Sequence, residues 1–114
     1  MVSTMVSAKN RECVEACSEC AQACENCNYQ CCEGATGAMA ECGRLCIDCV
    51  AVCRLCVDLL SRGSDLAAKV CELCIAVCEA CAAECAGQSA EQCQQCAEAC
   101  RVCIQACQRF LAAV

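Results

Sequence analysis

The sequence predicts an all-α protein, an antiparallel up-down-up-down four-helix bundle with a cysteine-lined core. Of its 114 residues, 22 are cysteine, and they recur in steps of three and four residues. This is the period of one helix face, whereas a strand would need a period of two. Proline is absent, as expected for long uninterrupted helices. There are only two aromatic residues, so the cysteines must form much of the interior.

The cysteines fall into four clusters, one for each predicted helix. Apart from the extra Cys32, the steps within each cluster alternate between three and four, which is the a/d heptad pattern. The clusters are Cys13, Cys17, Cys20, Cys24, Cys27, Cys31 and Cys32; Cys42, Cys46, Cys49, Cys53 and Cys56; Cys71, Cys74, Cys78, Cys81 and Cys85; and Cys93, Cys96, Cys100, Cys103 and Cys107. Every cysteine except Cys32 is therefore predicted to lie on one inward-facing stripe.

The first two helices are predicted at about 8–33 and 38–61. Gly34 and Gly37 mark the connection between them. The second helix is expected to end at Gly63, because glycine readily adopts the left-handed conformation that closes many helices.

The last two helices are predicted at about 65–86 and 90–112. Ser64 is a candidate N-cap for the third helix, and Gly87 closes it. The segment from Ser89 to Gln92 has the capping-box pattern expected at the start of the fourth. Such short connections make neighbouring helices antiparallel. A length of 114 residues fits one domain, spanning 1–114.

The two ends of the predicted bundle differ in chemistry. At one end the inward positions are apolar, which predicts a closed end; they are Val6, Leu60, Leu66 and Phe110. The other end is rich in soft sulfur ligands; its residues are Cys31, Cys32, Met39, Cys42, Cys85 and Cys93. Ions are expected to pass through this second end, with Cys32 and Met39 as further candidate ligands there. Met39 could equally be a gap-filling side chain, and Cys32 could equally be an incidental thiol.

Charge and composition exclude several function classes. The net charge is −6, so the chain has no basic surface for nucleic acid or for an anionic membrane, and no apolar run is long enough to span a bilayer. Histidine is absent and no acid–base constellation is visible, so we do not expect an enzyme. The first residues lack the pattern of a signal peptide, which predicts a cytoplasmic protein. In that reducing compartment, dense cysteines more often bind metal than form disulfides.

Alternatives to metal binding fit the spacing less well. Packing alone would not require cysteine at every a/d position, and neighbours on one helix are poorly placed for disulfides. Zinc needs four thiolates in a tetrahedral arrangement, and a continuous ladder has no obvious partition into such sites. A two-coordinate soft ion, Cu(I), suits thiolates at i,i+3 and i,i+4. Zinc or general heavy-metal sequestration, in a metallothionein-like role, remains the alternative.

The number of thiols predicts storage rather than delivery or sensing. If each Cu(I) ion used two unshared thiolates, the 22 cysteines would bind about eleven ions. Thiolates that bridge two ions would raise that number. Bridging also moves the buried core towards neutrality. The metal-free thiols are neutral, so the bundle is expected to fold before it binds copper.

The CxxxCxxCxxxCxxC pattern of the first two helices and the CxxCxxxCxxCxxxC pattern of the last two resemble the bacterial copper storage proteins. The resemblance extends from about Cys13 to Cys107. It implies a bundle that fills with Cu(I) and assembles as a homotetramer, and it places the chain in the cytosolic branch of the family. Family members carry histidine or methionine near the open end, where Met39 matches by position. Copper ions are the predicted partners, with a copper donor or acceptor protein as a further candidate. Leu55 and Leu73 are candidates for an exposed subunit contact, although ordinary packing at the flank of the bundle is the favoured interpretation.

Overall fold

A computed structural model describes residues 6–114 and confirms the predicted four-helix bundle. Its helices are α1 (Ala8–Cys27), α2 (Gly37–Arg62), α3 (Ala67–Ala86) and α4 (Glu91–Ala113), with a π-helical turn at Asn28–Cys32 after α1. Each helix packs against the next, and α4 returns to pack on α1. The bundle is 41 Å long.

Sulfur atoms fill the centre of the bundle. Every cysteine except Cys31 is buried, and most have no exposed surface. Apolar side chains such as Val14, Val50 and Val52 are buried beside the thiols. The acidic residues Glu15, Glu25, Glu72, Glu79 and Glu98 all lie on the outside. Because cysteine is small and weakly polar, its thiol stripes allow the four helices to pack without large aliphatic side chains.

The connection between α2 and α3 begins as predicted and then departs from prediction. Gly63 has a φ of 70°, and the amides of Gly63 and Ser64 donate to the carbonyls of Leu60 and Leu59, which is the Schellman motif. The Ser64 hydroxyl accepts a hydrogen bond from the Leu66 amide within a separate turn. Helix α3 therefore starts at Ala67, and Leu66 lies outside its helical register. The predicted inward position of Leu66 is wrong, since 59% of this residue is exposed.

The predicted capping box at the start of α4 is also absent. The N-cap is Ala90, not Ser89, and no side chain caps the helix. The Ala90 carbonyl accepts hydrogen bonds from the backbone amides of Cys93 and Gln94. The Gln94 side chain instead donates to the carbonyls of Ala86 and Gln88. A side chain of α4 thus satisfies carbonyl groups at the end of α3.

The closed end of the bundle has the predicted apolar residues Val6, Leu60 and Phe110 in its interior. A polar residue, Asn10, is buried among them. Among residues 6–114, no helix combines the length and the apolar character that crossing a bilayer would require.

Candidate metal centre

A ladder of contacting thiols runs along the bundle axis. Near the closed end, the Sγ atoms of Cys13 and Cys107 are 3.6 Å apart. At mid-height, Cys49 approaches Cys78 within 3.4 Å. All four helices contribute to this ladder, because the alternating step of three and four keeps each cysteine on the inward face.

The ladder is continuous from one end to the other. Sulfur–sulfur distances between its linked members do not exceed 4.0 Å, except at two steps. These are Cys24 to Cys49 and Cys17 to Cys107, which belong to two of the four-thiol groups described below and lie within 4.8 Å. One route through it is Cys93, Cys27, Cys42, Cys85, Cys46, Cys96, Cys24, Cys49, Cys78, Cys74, Cys103, Cys17, Cys107 and Cys13. An ion bound to one pair of sulfurs would therefore always have a further sulfur nearby, to which it could transfer.

Several sets of four sulfurs lie within 4.8 Å of one another. Sets in the interior include Cys17, Cys74, Cys103 and Cys107; Cys20, Cys24, Cys49 and Cys100; Cys20, Cys53, Cys78 and Cys103; and Cys24, Cys81, Cys96 and Cys100. These interior sets share members, so one sulfur belongs to more than one potential site. Such overlap suits ions bridged by shared thiolates better than separate closed sites.

At the open end, the positions of two adjacent cysteines differ from prediction. The in-phase Cys31 is only partly buried and contacts the Gln92 side-chain oxygen at 3.5 Å, whereas the out-of-phase Cys32 is 4% exposed. The cause is the π-helical turn, in which the Glu33 amide donates to the carbonyl of Asn28, five residues back. The wider turn breaks the α-helical register, so the prediction that Cys31 lies on the stripe and Cys32 off it is wrong.

Gly43 allows the π-helical turn to pack against α2. A β-carbon at this position would lie 2.9 Å from the Cβ of Cys32 and 2.9 Å from the Oδ1 of Asn28. No side chain other than hydrogen fits without displacing one of them. Gly43 was not predicted to be a packing position, although a glycine inside a helical cysteine pattern is a signal of close packing.

We call four cysteines at the open end the mouth tetrad: Cys27, Cys32, Cys42 and Cys93. Their sulfurs all lie within 4.8 Å of one another. The Sγ of Cys27 is 3.4 Å from that of Cys93 and 4.0 Å from that of Cys42. Cys42 also contacts Cys85 at 2.6 Å, which joins the tetrad to the ladder. Met39 is half-buried and packs against the same core.

Burial controls the ionisation of these thiols. Burial raises the pKa of Cys27, Cys32 and Cys42, because water is removed from around the charged thiolate. It also raises the pKa of Cys31, which is less deeply buried. The metal-free thiols of Cys27, Cys32 and Cys42 are therefore neutral at physiological pH. A cation that binds there must displace protons, and the resulting thiolates then neutralise its charge.

The fold and this chemistry define a class of protein: a four-helix bundle whose buried thiol ladder suits many soft metal ions. The profile of the family described as "Copper storage protein" matches residues 6–112. The chain therefore belongs to the copper storage protein family. This confirms the resemblance inferred from the cysteine spacing. A search of curated proteins finds no match.

Solved structures of similar sequence have the same fold. A Cu(I)-bound copper storage protein, BsCsp3, is 32% identical with a TM-score of 0.84, and the match covers 90% of this chain and 98% of that one. The apo-Csp3 of Bacillus subtilis is 36% identical with a TM-score of 0.80, covering 89% and 97%. The Ccsp of Streptomyces lividans, loaded with 10 copper equivalents, is 38% identical with a TM-score of 0.83, covering 93% and 86%.

Proposed function

We propose that this chain stores and sequesters many Cu(I) ions inside a bundle that is already folded without metal. The observation that carries this proposal is the continuous ladder of buried thiols from the mouth to Cys13 and Cys107. Soft thiolate ligands select Cu(I), which is satisfied by two or three sulfurs. Family membership and the copper in the solved relatives give it further support.

The proposed ligands are the cysteines of all four helices. Each Cu(I) ion displaces the protons of the thiols that bind it, and thiolates shared between ions keep the charge of the dry core small. The overlapping sets of four sulfurs in the interior support such sharing. Met39 is proposed only as a neighbour of the mouth, where its thioether could assist passage of the ion.

Copper would enter at the mouth and move inward by ligand exchange. Cys42 contacts both Cys27 of the mouth tetrad and Cys85 of the ladder, which then contacts Cys46 at 3.9 Å. Each such step exchanges one sulfur for its neighbour, so an ion need not become free. The apolar closed end, with Leu60 and Phe110, favours exit by the same route.

We propose a single storage domain over 1–114, a non-enzymatic role in the cytoplasm, and exchange of copper with a donor or acceptor protein. Free buried thiols in this number persist best in a reducing compartment. We also propose a homotetramer, for which exposed Leu55 and Leu73 on neighbouring helices offer apolar contacts. Light scattering of the purified protein would test the tetramer.

The test of storage is an anaerobic titration of the reduced protein with Cu(I) against a Cu(I)-specific chelator, with circular dichroism at each point. We expect uptake of more than about ten ions per chain, with full helicity before copper is added. Uptake of only one to four ions, or of zinc alone, would contradict storage. Helicity that appears only with metal would indicate a metallothionein-like chain instead.

A further inference from the structure

The mouth tetrad differs from the ladder in how its ligands arise. Cys27, Cys42 and Cys93 belong to the inward stripes of three helices, but Cys32 is out of phase with the stripe of its helix. The π-helical turn brings it to the other three. Single π-helical turns are rare and occur frequently at functional sites. A storage ladder made of in-phase thiols does not require this arrangement.

A second feature supports the same site. Gly43 lies inside α2, where glycine costs about 1 kcal/mol relative to alanine. Its missing side chain leaves room for Cys32 and Asn28 at 2.9 Å from where a β-carbon would be. The backbone of α2 thus makes room for the one thiol that completes the tetrad.

The distances within the tetrad match four-coordinate binding. A tetrahedral zinc ion with bonds of about 2.3 Å to sulfur separates its sulfurs by about 3.8 Å. The distances from Cys27 to Cys93 and to Cys42 are 3.4 and 4.0 Å, and every other pair lies within 4.8 Å. A two-coordinate Cu(I) ion would leave half of these sulfurs unused.

We propose that the mouth tetrad is a discrete four-thiolate site for one divalent thiophilic ion, Zn²⁺, at the opening of the ladder. Binding forms four Zn–S bonds, and the four thiols release four protons, which leaves a complex of charge −2. All four residues are buried, with at most 4% of any one exposed. The tetrad nevertheless lies at the open end, next to the partly exposed Cys31, so its charge is closer to water than it would be in the dry interior. Zinc there holds Cys27 and Cys42, through which copper would pass, so it slows copper uptake until Cu(I) displaces it.

The probe for this site is Co²⁺, which reports a tetrahedral thiolate environment by its visible absorption. Reduced, metal-free protein is titrated anaerobically with Co²⁺ and then with Zn²⁺. We expect one equivalent per chain to give the spectrum of a tetrahedral four-thiolate complex, and one equivalent of Zn²⁺ to remove it. Absorption that rises without a break at one equivalent would contradict a discrete site.

Adjacent cysteines provide a matched pair of variants. Cys32→Ala should weaken Co²⁺ binding by at least about tenfold and abolish the four-sulfur spectrum. Cys31→Ala, one residue away and outside the tetrad, should retain both. Equal losses in the two variants, or an unchanged spectrum in Cys32→Ala, would overturn the proposal. Circular dichroism checks that both variants are folded.

The substitution Gly43→Ala tests the site without removing a ligand. The new methyl group would displace Cys32, so Co²⁺ affinity should fall while helicity is retained. Retained affinity in the folded variant would show that Gly43 does not position the tetrad.

Failure of this proposal is distinguishable from failure of copper storage. The Cys32→Ala variant tests the zinc site, whereas the copper capacity of the unsubstituted protein tests storage separately. A chain that binds one Zn²⁺ but few copper ions would keep the mouth site and refute storage. A chain that stores copper but shows no single Co²⁺ step would support storage and refute the mouth site.

Discussion

The side-chain amide of Asn10 donates a 3.0 Å hydrogen bond to the backbone carbonyl of Leu60, across the closed end of the bundle. Asn10 is 8% exposed and lies in the first turns of α1, while Leu60 lies in the last turns of α2. The bond joins the start of α1, the helix that carries Cys13, to the end of α2. It fixes the closed end by a polar contact within apolar surroundings.

Asn10→Ala should destabilise the metal-free bundle by about 1 kcal/mol, because a buried hydrogen bond is lost. The Leu60 carbonyl keeps its bond from the Gly63 amide, which limits the cost. Guanidinium unfolding followed by circular dichroism measures the change. The matched control is Asn26→Ala, an exposed position on the same helix. An equal effect of the two substitutions would contradict a role for the Leu60 contact.

Two glycines should respond to alanine in opposite directions. Gly63 has a φ of 70°, so Gly63→Ala should cost about 1 kcal/mol. Gly87 has a φ of −76° and an ordinary contact of 3.5 Å at its β-position. Gly87→Ala should therefore be neutral or stabilise by up to about 1 kcal/mol, through the lower entropy of the unfolded chain. Unfolding midpoints of both variants test the difference, and a shared sign would refute the conformational argument.

Removing two contacting thiols should reduce copper capacity and leave the fold intact. The Sγ atoms of Cys49 and Cys78 are 3.4 Å apart at mid-height of the ladder. The double variant Cys49→Ala, Cys78→Ala should lose about one to two Cu(I) ions per chain. The measurement is copper per chain after chelator-controlled loading.

The control for that experiment is Val50→Ala, which removes a buried side chain without a sulfur. It should lower stability by roughly 2 kcal/mol and leave capacity unchanged. If Val50→Ala lowered copper capacity as much as the cysteine substitutions, the loss of capacity would come from disturbed packing and not from the removal of thiol ligands.

Three thiols at the mouth, Cys27, Cys32 and Cys42, should make the metal-free bundle less stable as the pH rises above the ordinary thiol range. Burial raises the pKa of Cys27, Cys32 and Cys42 in the fold. Their contribution to the free energy of unfolding is complete below the unfolded thiol pKa of about 8.5. It is lost as the pH rises above that value, because the unfolded chain then releases protons that the folded protein retains. Each such thiol removes about 1.4 kcal/mol per pH unit.

Guanidinium midpoints at about pH 7 and about pH 10 test this dependence. Copper-loaded protein is the control, because its ligated thiols no longer carry protons and its other titratable groups are the same. A flat midpoint for the metal-free protein would mean that its thiols ionise equally in the folded and unfolded states. Copper affinity should change in the opposite sense and weaken as the pH falls, since protons compete for the thiolates.

The sequence alone determined the fold class, the helices and the family. The alternation of three and four is a local property of each helix, and it fixes which face is inward wherever the helix is α-helical. This explains why the burial of Cys49, Cys78 and the other mid-helix cysteines was predictable. It also explains why the Gly63 terminus was found, because a left-handed glycine is a signal carried by one residue.

Only the tertiary structure decided the details at the helix ends. Cys31 and Cys32 exchanged their predicted positions because a π-helical turn, which packs against Gly43 of another helix, changes the register after Cys27. Leu66 is exposed because the turn formed by Ser64 delays the start of α3. Periodicity describes one regular helix at a time. The π-helical turn depends on packing against another helix, and the position of Leu66 depends on a local turn that the period does not encode. The composition of the mouth tetrad is therefore a property of the packed bundle.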